Sequence, residues 1–259
     1  AEIVSDGKDI LLPPEICGDE PWLMANALRD IPVIVSKTRY LAGLKANQHF
    51  KSNFFILDDG FQHILLKRDM DIVLADAKRP FGNGHLLPWG PLREPLTGLK
   101  RADAVLLTRS GDLNSQKIKF PFFNKPLFTG DHSPDKIVFP FSADKVDLSY
   151  LSGKRIIAFS GIARPESFRE SLMHLGADVA SFMTFGDHYP FSKKDIERIM
   201  KEKKTQNGEL VITTEKDWAR IREITSGIDS LAFLSIKFII TSGKDKLFNL
   251  IKEKADSAL

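Results

Sequence analysis

Cysteine is nearly missing: Cys17 is the only one in 259 residues. An internal disulfide is excluded, a zinc site built on paired cysteines has no ligands, and the chain fits a reducing compartment. No run of about 18 apolar residues occurs, so nothing reads as a bilayer-spanning helix. The longest candidate, Leu231 to Thr241, is cut by Lys237 and reads as a strand. No Gly-x-Ser-x-Gly hydrolase elbow is present. The pairs Gly7-Lys8, Gly153-Lys154 and Gly243-Lys244 are not followed by Ser or Thr and lack the glycine spacing of a phosphate loop. Signal peptide, internal repeat and low-complexity tract are all missing, and the chain opens at Ala1 in mid-pattern, which reads as a fragment or a processed form. A dominant charge is lacking too. Against 34 acidic residues stand 37 basic ones, a net charge of +3. That field is too weak to argue for nucleic acid, yet compatible with an anionic membrane surface.

What is present is ordinary globular material, 42% hydrophobic and 27% charged. Short apolar runs recur at Pro32–Val35, Phe54–Leu57, Ile72–Ala75, Ala104–Leu107, Ile137–Phe141, Ile156–Phe159, Leu210–Thr213 and Ala232–Ile240. Continuous rather than alternating runs predict strands covered on both faces, as in parallel sheets. Helical faces lie between them: Trp22, Leu23, Ala27 and Leu28; Phe168, Leu172 and Leu175; Ile196, Ile199 and Met200; Leu247, Leu250 and Ile251. The alternation predicts an α/β fold. Gly111 to Ser149, with Phe120, Phe122, Phe123 and several prolines, reads as a connection between two domains, 1–150 and 151–259. Lys78 to Leu99, dense in Gly and Pro, reads as a long structured loop, a common home for function.

One stretch carries the most chemistry. Phe54-Phe55-Ile56-Leu57 reads as a buried strand running into Asp58-Asp59, with Gly60 turning the chain and His63 four residues beyond Asp59. Acids at the carboxyl end of a strand are placed to hold Mg²⁺ against phosphate. The plainer alternative has one acid capping the turn and the other facing water. Gly18-Asp19-Glu20-Pro21 precedes a helix near Trp22, where Asp19 reads first as a cap and second as a base or ligand. In the loop, Arg79 and Arg93 suit phosphate, and the glycines around Asn83 allow close approach of a ligand; solvated charges on a rigid loop are the alternative. Asp187-His188-Tyr189 lies before a helix that Ser192 would cap. Thr213-Thr214-Glu215-Lys216-Asp217 joins a strand to a helix, where hydroxyls and amides suit a nucleotide or anion, unless Thr214 only caps.

Taken in order, these words resemble the tetraacyldisaccharide 4′-kinase family. They are Gly18-Asp19-Glu20-Pro21, Leu57-Asp58-Asp59-Gly60-Phe61-Gln62-His63, Arg79-Pro80-Phe81-Gly82-Asn83-Gly84, Leu86-Leu87-Pro88 and Gly90-Pro91-Leu92-Arg93-Glu94-Pro95. Arg101-Ala102-Asp103, Ser160-Gly161-Ile162-Ala163-Arg164-Pro165 and Thr213-Thr214-Glu215-Lys216-Asp217 complete the set. The resemblance implies a P-loop-kinase-like, mostly parallel α/β domain, N-terminally incomplete here, and a smaller second α/β domain. It implies transfer of the γ-phosphoryl of ATP to the 4′-hydroxyl of a lipid A disaccharide, with Mg²⁺, by a monomer lying peripherally on the cytoplasmic face of a bacterial inner membrane. Nucleic acid is not an expected partner. By the same resemblance Asp19 is the catalytic base and His188, brought from the second domain, its partner. Asp58, Asp59, His63, Thr214 and Lys216 would attend the nucleotide. Asp59, Glu20 and Glu94 would attend the metal, and Arg39, Arg93 and Asn83 the acceptor or the moving phosphate. The family's membrane helix and phosphate loop, which precede the point where these residues begin, are missing, and Trp89 stands where a small residue is expected. Two other readings remain: a lipid- or nucleotide-binding remnant without turnover, and a nucleotide-sugar glycosyltransferase suggested by Asp69-Met70-Asp71.

Overall fold

The computed structural model describes residues 1–111 and 124–258, so Phe120, Phe122 and Phe123 lie outside the described residues. In chain order the elements are β1 (Glu2–Ser5), α1 (Pro14–Cys17), α2 (Asp19–Ala27), β2 (Val33–Val35), α3 (Arg39–Phe50), β3 (Ile72–Asp76) and β4 (Ala104–Thr108). They continue with β5 (Leu127–Phe139), β6 (Asp144–Val146), β7 (Arg155–Ser160), α4 (Pro165–His174), β8 (Asp178–Thr184) and α5 (Lys193–Thr205). Last come β9 (Leu210–Thr214), α6 (Glu215–Ile221), β10 (Leu231–Ser242) and α7 (Lys244–Ala258). Two compact units result, one from Ala1–Phe50 with Pro134–Lys237, the other from Lys51–Ser133 with Phe238–Leu259. The boundary expected near residue 150 falls inside the first unit. The long strands β5 and β10 each carry the chain from one unit into the other, so a single cut in sequence does not separate them.

The first unit is wound around β7. β7 pairs in parallel with β8 on one side and β9 on the other, and β9 pairs in parallel with β10. Ile156, Ile157, Ala158 and Phe159 of β7 are wholly buried. Ile156 and Ala158 pack with Phe168 and Leu172 of α4, while Ile157 and Phe159 pack with Ile196 and Ile199 of α5. Period-two side chains therefore enter two cores, which is why the run is apolar without alternation. Each such buried side chain contributes about 1.5–3 kcal/mol over an exposed one. α5 starts as expected: Ser192 Oγ accepts from Asp195 N–H, and Asp195 accepts from Ser192 N–H at 2.8 Å, a reciprocal cap. β1 and β2 form an antiparallel pair over a small core of Val4, Cys17, Trp22, Ala25 and Ala219.

In the second unit β3, β4 and the start of β5 run parallel in that order. Ala104 and Leu106 pack with Phe128 and Leu247, while Val105 and Leu107 pack with Ala77 and Leu99. Leu250 and Ile251 add their expected face of α7 to the first of these cores. Gly130 is required where β10 approaches: a Cβ there would stand 2.4 Å from the Phe238 ring and 2.9 Å from the Ile239 carbonyl oxygen.

One expected strand is absent. Phe54–Leu57 is irregular, and Phe54, Phe55 and Ile56 are 54%, 48% and 85% exposed. A strand needs a ladder partner for its amides, and no described strand pairs with this run. Several elements go beyond the expectation: β1, β6, β8, α1 and α3. β8 lies at a sheet edge with Asp178, Ser181 and Thr184 breaking its apolar run, and β5 begins ten residues before Ile137 because Gly130 and Pro134 interrupt its pattern.

Candidate functional site in the first unit

The order of strands in the first unit reverses between β7 and β9, and ligands of such sheets bind outside the carboxyl ends at that point. β7 ends at Ser160 and β9 at Thr214, so Gly161 and the start of α6 stand there. Asp217, in the first turn of α6, is wholly buried. Its Oδ2 accepts from Gly161 N–H at 3.0 Å and from the Thr214 hydroxyl at 2.7 Å. Burial pushes its carboxyl above the ordinary range, opposed by those two hydrogen bonds and by the Arg220 charge. The Thr214 hydroxyl also accepts from Asp217 N–H at 3.1 Å, so Thr214 caps α6. Gly161 has no room for a side chain to spare, since a Cβ would meet Asp217 Oδ1 and Gly186 O at 3.2 Å.

Arg220, one turn further along α6, converts this anchor into a site. Its side chain is 10% exposed and forms four contacts. Nε donates to Asp19 Oδ2 at 2.6 Å, and Nη1 donates to Asp217 Oδ1 and to Gly161 O, both at 3.1 Å. Nη2 lies 3.0 Å from His188 Nδ1. Asp19 is the first residue of α2, after Gly18 at φ +91°, and its side chain is 19% exposed. The expectation that Asp19 caps is corrected: Gly18 holds the cap position, no side chain caps α2, and the Asp19 carboxylate is turned to Arg220. His188 sits in a turn at φ +55°, with Nδ1 3.6 Å from Asp19 Oδ2. Asp19 and His188 thus belong to the same compact unit, not to two, because the chain returns to the first unit at Pro134. Beside them Lys216 Nζ donates to Glu20 Oε1 at 2.6 Å, and Arg39 donates to Ser36 O at 3.2 Å.

The other expected residues lie in the second unit. Asp59, at φ +51° on an exposed turn, accepts from Arg93 Nη1 at 2.6 Å. That hydrogen bond holds the Arg93 guanidinium above its usual range. Glu94 accepts from Arg101 Nη2 at 2.8 Å and from Gln62 Nε2 at 3.0 Å, and Arg101 lies 4.5 Å over the Phe61 ring. Asn83 ties the loop to itself, donating to Trp89 O at 2.8 Å and accepting from His85 N–H at 3.1 Å. His63 donates its N–H to Gly60 O at 3.0 Å, within the turn that follows the two acids. Asp71 is taken by Arg68 through two bonds of 2.7 and 3.1 Å. Among the described residues no group of three or more His, Cys, Asp or Glu side chains is gathered to hold a metal. Glu20, Glu94 and Asp59 are each engaged by a cationic side chain, Lys216, Arg101 and Arg93 respectively. Sequence reasoning overlooked Arg220 and the structural weight of Asp217. Their spacing of three along a helix was the available signal.

Parallel strands with helices on both faces, and a carboxylate fixed by arginine at the switch point, define an α/β protein of the doubly wound kind. Residues 1–256 match the family described as tetraacyldisaccharide-1-P 4′-kinase, and the chain belongs to that family. It is 40% identical over 255 residues to the tetraacyldisaccharide 4′-kinase of Syntrophus aciditrophicus, a match covering 93% of the chain and 68% of that protein. With the enzyme of Geobacter metallireducens it shares 37% identity, covering 86% of the chain and 65% of the relative. With that of Desulfatibacillum aliphaticivorans it shares 39%, covering 84% and 61%. The chain thus spans about two thirds of the length of these relatives. A crystal structure of LpxK from Aquifex aeolicus in complex with ATP is similar at a TM-score of 0.77 and 34% identity, covering 98% of this chain and 74% of that one. Among the described residues no helix is long and apolar enough to cross a membrane.

Proposed function

We propose that the protein containing this chain transfers the γ-phosphoryl of ATP to the 4′-hydroxyl of a tetraacyldisaccharide 1-phosphate. One observation carries the reading: an Asp19 carboxylate, 19% exposed and held by Arg220, stands beside His188 at the switch point of a parallel sheet. A sugar hydroxyl gives up its proton as the oxygen–phosphorus bond forms, and a positioned carboxylate is suited to take it. In this step the 4′ O–H bond breaks, its proton passes to Asp19, the new O–Pγ bond forms and the bond to the β-phosphate breaks, releasing ADP. His188, 3.6 Å from the Asp19 carboxylate, is its partner in this reading. Asp58 and Asp59 would hold Mg²⁺, which when bound neutralises charge on the phosphates. Arg93, by virtue of its fork of donors, suits the phosphate or the acceptor.

The acceptor bears acyl chains, and the loop of the second unit offers apolar surface for them. Leu86, Leu87 and Trp89 are 42%, 63% and 80% exposed. A tryptophan beside leucines suits the interface between headgroups and acyl chains, which supports a peripheral position on a membrane.

The test is an assay of the complete gene product with ATP, Mg²⁺ and tetraacyldisaccharide 1-phosphate, with calorimetry of ATP binding beside it. Phosphate on the acceptor is the expected result. Micromolar ATP binding with no transfer would replace this reading by a binding protein without turnover.

A further inference from the structure

Ile64 and Leu65 are the central residues of the turn His63–Leu66 in the second unit, and their exposures are 67% and 100%. Single exposed aliphatics are common on proteins, but two adjacent ones at a turn tip, one with its whole side chain in water, call for a reason. The turn is rigid. Leu66 N–H donates to His63 O and His63 N–H to Gly60 O, both at 3.0 Å. Arg68 Nη1 donates to His63 O and, at 2.8 Å, to Leu66 O, while Asp71 holds the same guanidinium through bonds of 2.7 and 3.1 Å. The Arg68 and Asp71 side chains are largely buried. The carbonyls on either side of the tip are therefore satisfied by the protein itself, as backbone must be before it leaves water for lipid. Lys67 follows the tip and is exposed, so a cation borders the two aliphatics. Hydrogen bonds also tie this segment to the long loop. Asp59 accepts from Arg93, Gln62 donates to Glu94, and Leu87 N–H donates to Leu92 O at 2.9 Å.

We propose that the Ile64–Leu65 tip inserts into the interface of an anionic bilayer, as a second lipid contact beside Leu86, Leu87 and Trp89, and so sets the distance of Asp58 and Asp59 from the membrane. The inference rests on the kinase reading for what that distance serves, delivery of a membrane-borne acceptor to the acids, but not for the contact itself. A bilayer suits the tip better than a protein does. Two aliphatic side chains offer far less than the ~800 Å² that each partner gives to a stable protein interface. Lipid asks only for an apolar tip among the acyl chains and a cation among anionic headgroups, and the two attractions act together.

The experiment uses the complete gene product and vesicles of phosphatidylglycerol and phosphatidylethanolamine, with vesicles of phosphatidylcholine beside them. Ile64→Ser with Leu65→Ser should lower the apparent affinity in sedimentation by roughly tenfold or more, with the melting temperature unchanged. Lys67→Gln should weaken binding to the anionic vesicles alone. In Leu65→Trp the added fluorescence should be quenched by lipids brominated on their acyl chains. Unchanged affinity in the double variant overturns the proposal. So does an added tryptophan already shielded without vesicles, which would give the tip to a second copy or to another part of the chain. Quenching in a protein that transfers no phosphate would leave the tip standing and remove the kinase reading; transfer with an unquenched tip would do the reverse.

Discussion

The Arg220 Nε stands 2.6 Å from Asp19 Oδ2, a full ångström closer than His188 Nδ1 does. An acid on α2 and a histidine from the turn before α5 are thereby joined through a third residue on α6. Groups joined in this way act as one unit, and losses from removing them do not add. In the complete gene product, Asp19→Asn and His188→Ala are each expected to slow transfer, and the double variant to be little worse than the slower single one. Steady-state rates at saturating ATP measure this. Losses that multiply would mean the two residues work independently.

Asp217 is an anchor before it is anything else. Its carboxylate is wholly buried and takes three donors, so Asp217→Ala leaves Arg220 partly unpaired and opens the turn at Gly161. Breaking a buried ion pair by removing one partner costs about 3–5 kcal/mol. Chemical denaturation of wild type and variant should show a loss of that order. A loss below about 1 kcal/mol would show that the cluster is not held from this residue.

Asp103 supplies a pH signature in the second unit. Burial raises its carboxyl, but a hydrogen bond from Asp71 N–H at 2.9 Å and the Lys254 ammonium at 3.1 Å outweigh it, leaving the group below the ordinary carboxylate value. A carboxyl depressed by folding stabilises the fold above its unfolded value and loses that contribution as pH falls through the folded one. Asp103→Asn should therefore melt lower than wild type at pH 7, and the gap should close as the pH drops below 3.8. Melting curves from pH 7 to pH 2 check it; a gap independent of pH would contradict the ion-pair account.

The exposed Leu87 and Trp89 make the membrane part of the account testable. Burying a large apolar side chain is worth about 1.5–3 kcal/mol. Trp89→Ala with Leu87→Ala should lower sedimentation with anionic phospholipid vesicles by roughly tenfold or more in apparent affinity. Unchanged sedimentation would place the acyl-binding surface elsewhere.

The sequence was most legible where side chains on both faces of a strand are buried. Ile156–Phe159 and Leu210–Thr213 read correctly as parallel strands because every residue meets a core. Phe54–Leu57 has the same composition and is no strand, since apolarity cannot report whether a ladder partner exists. β8 was hidden because Asp178, Ser181 and Thr184 break its apolar run, and the division into units by β5 and β10, which cross between them. Asp19 and His188 were picked out as a pair by resemblance to a family. Arg220 was not: its spacing of three from Asp217 on a helix signals only a local ion pair. Its importance comes from contacts with residues 32, 59 and 201 positions away.

The central claim is that Asp19 takes the proton of the acceptor hydroxyl during phosphoryl transfer. Its most direct test is ³¹P NMR of the product formed from ATP, Mg²⁺ and tetraacyldisaccharide 1-phosphate by the complete gene product and by its Asp19→Asn variant, with ATP binding measured on both. The account expects a new 4′-phosphomonoester with the wild type. It expects formation slowed about 10²- to 10⁴-fold in the variant, with ATP affinity retained. A wild-type rate of 4′-phosphorylation in Asp19→Asn would contradict it.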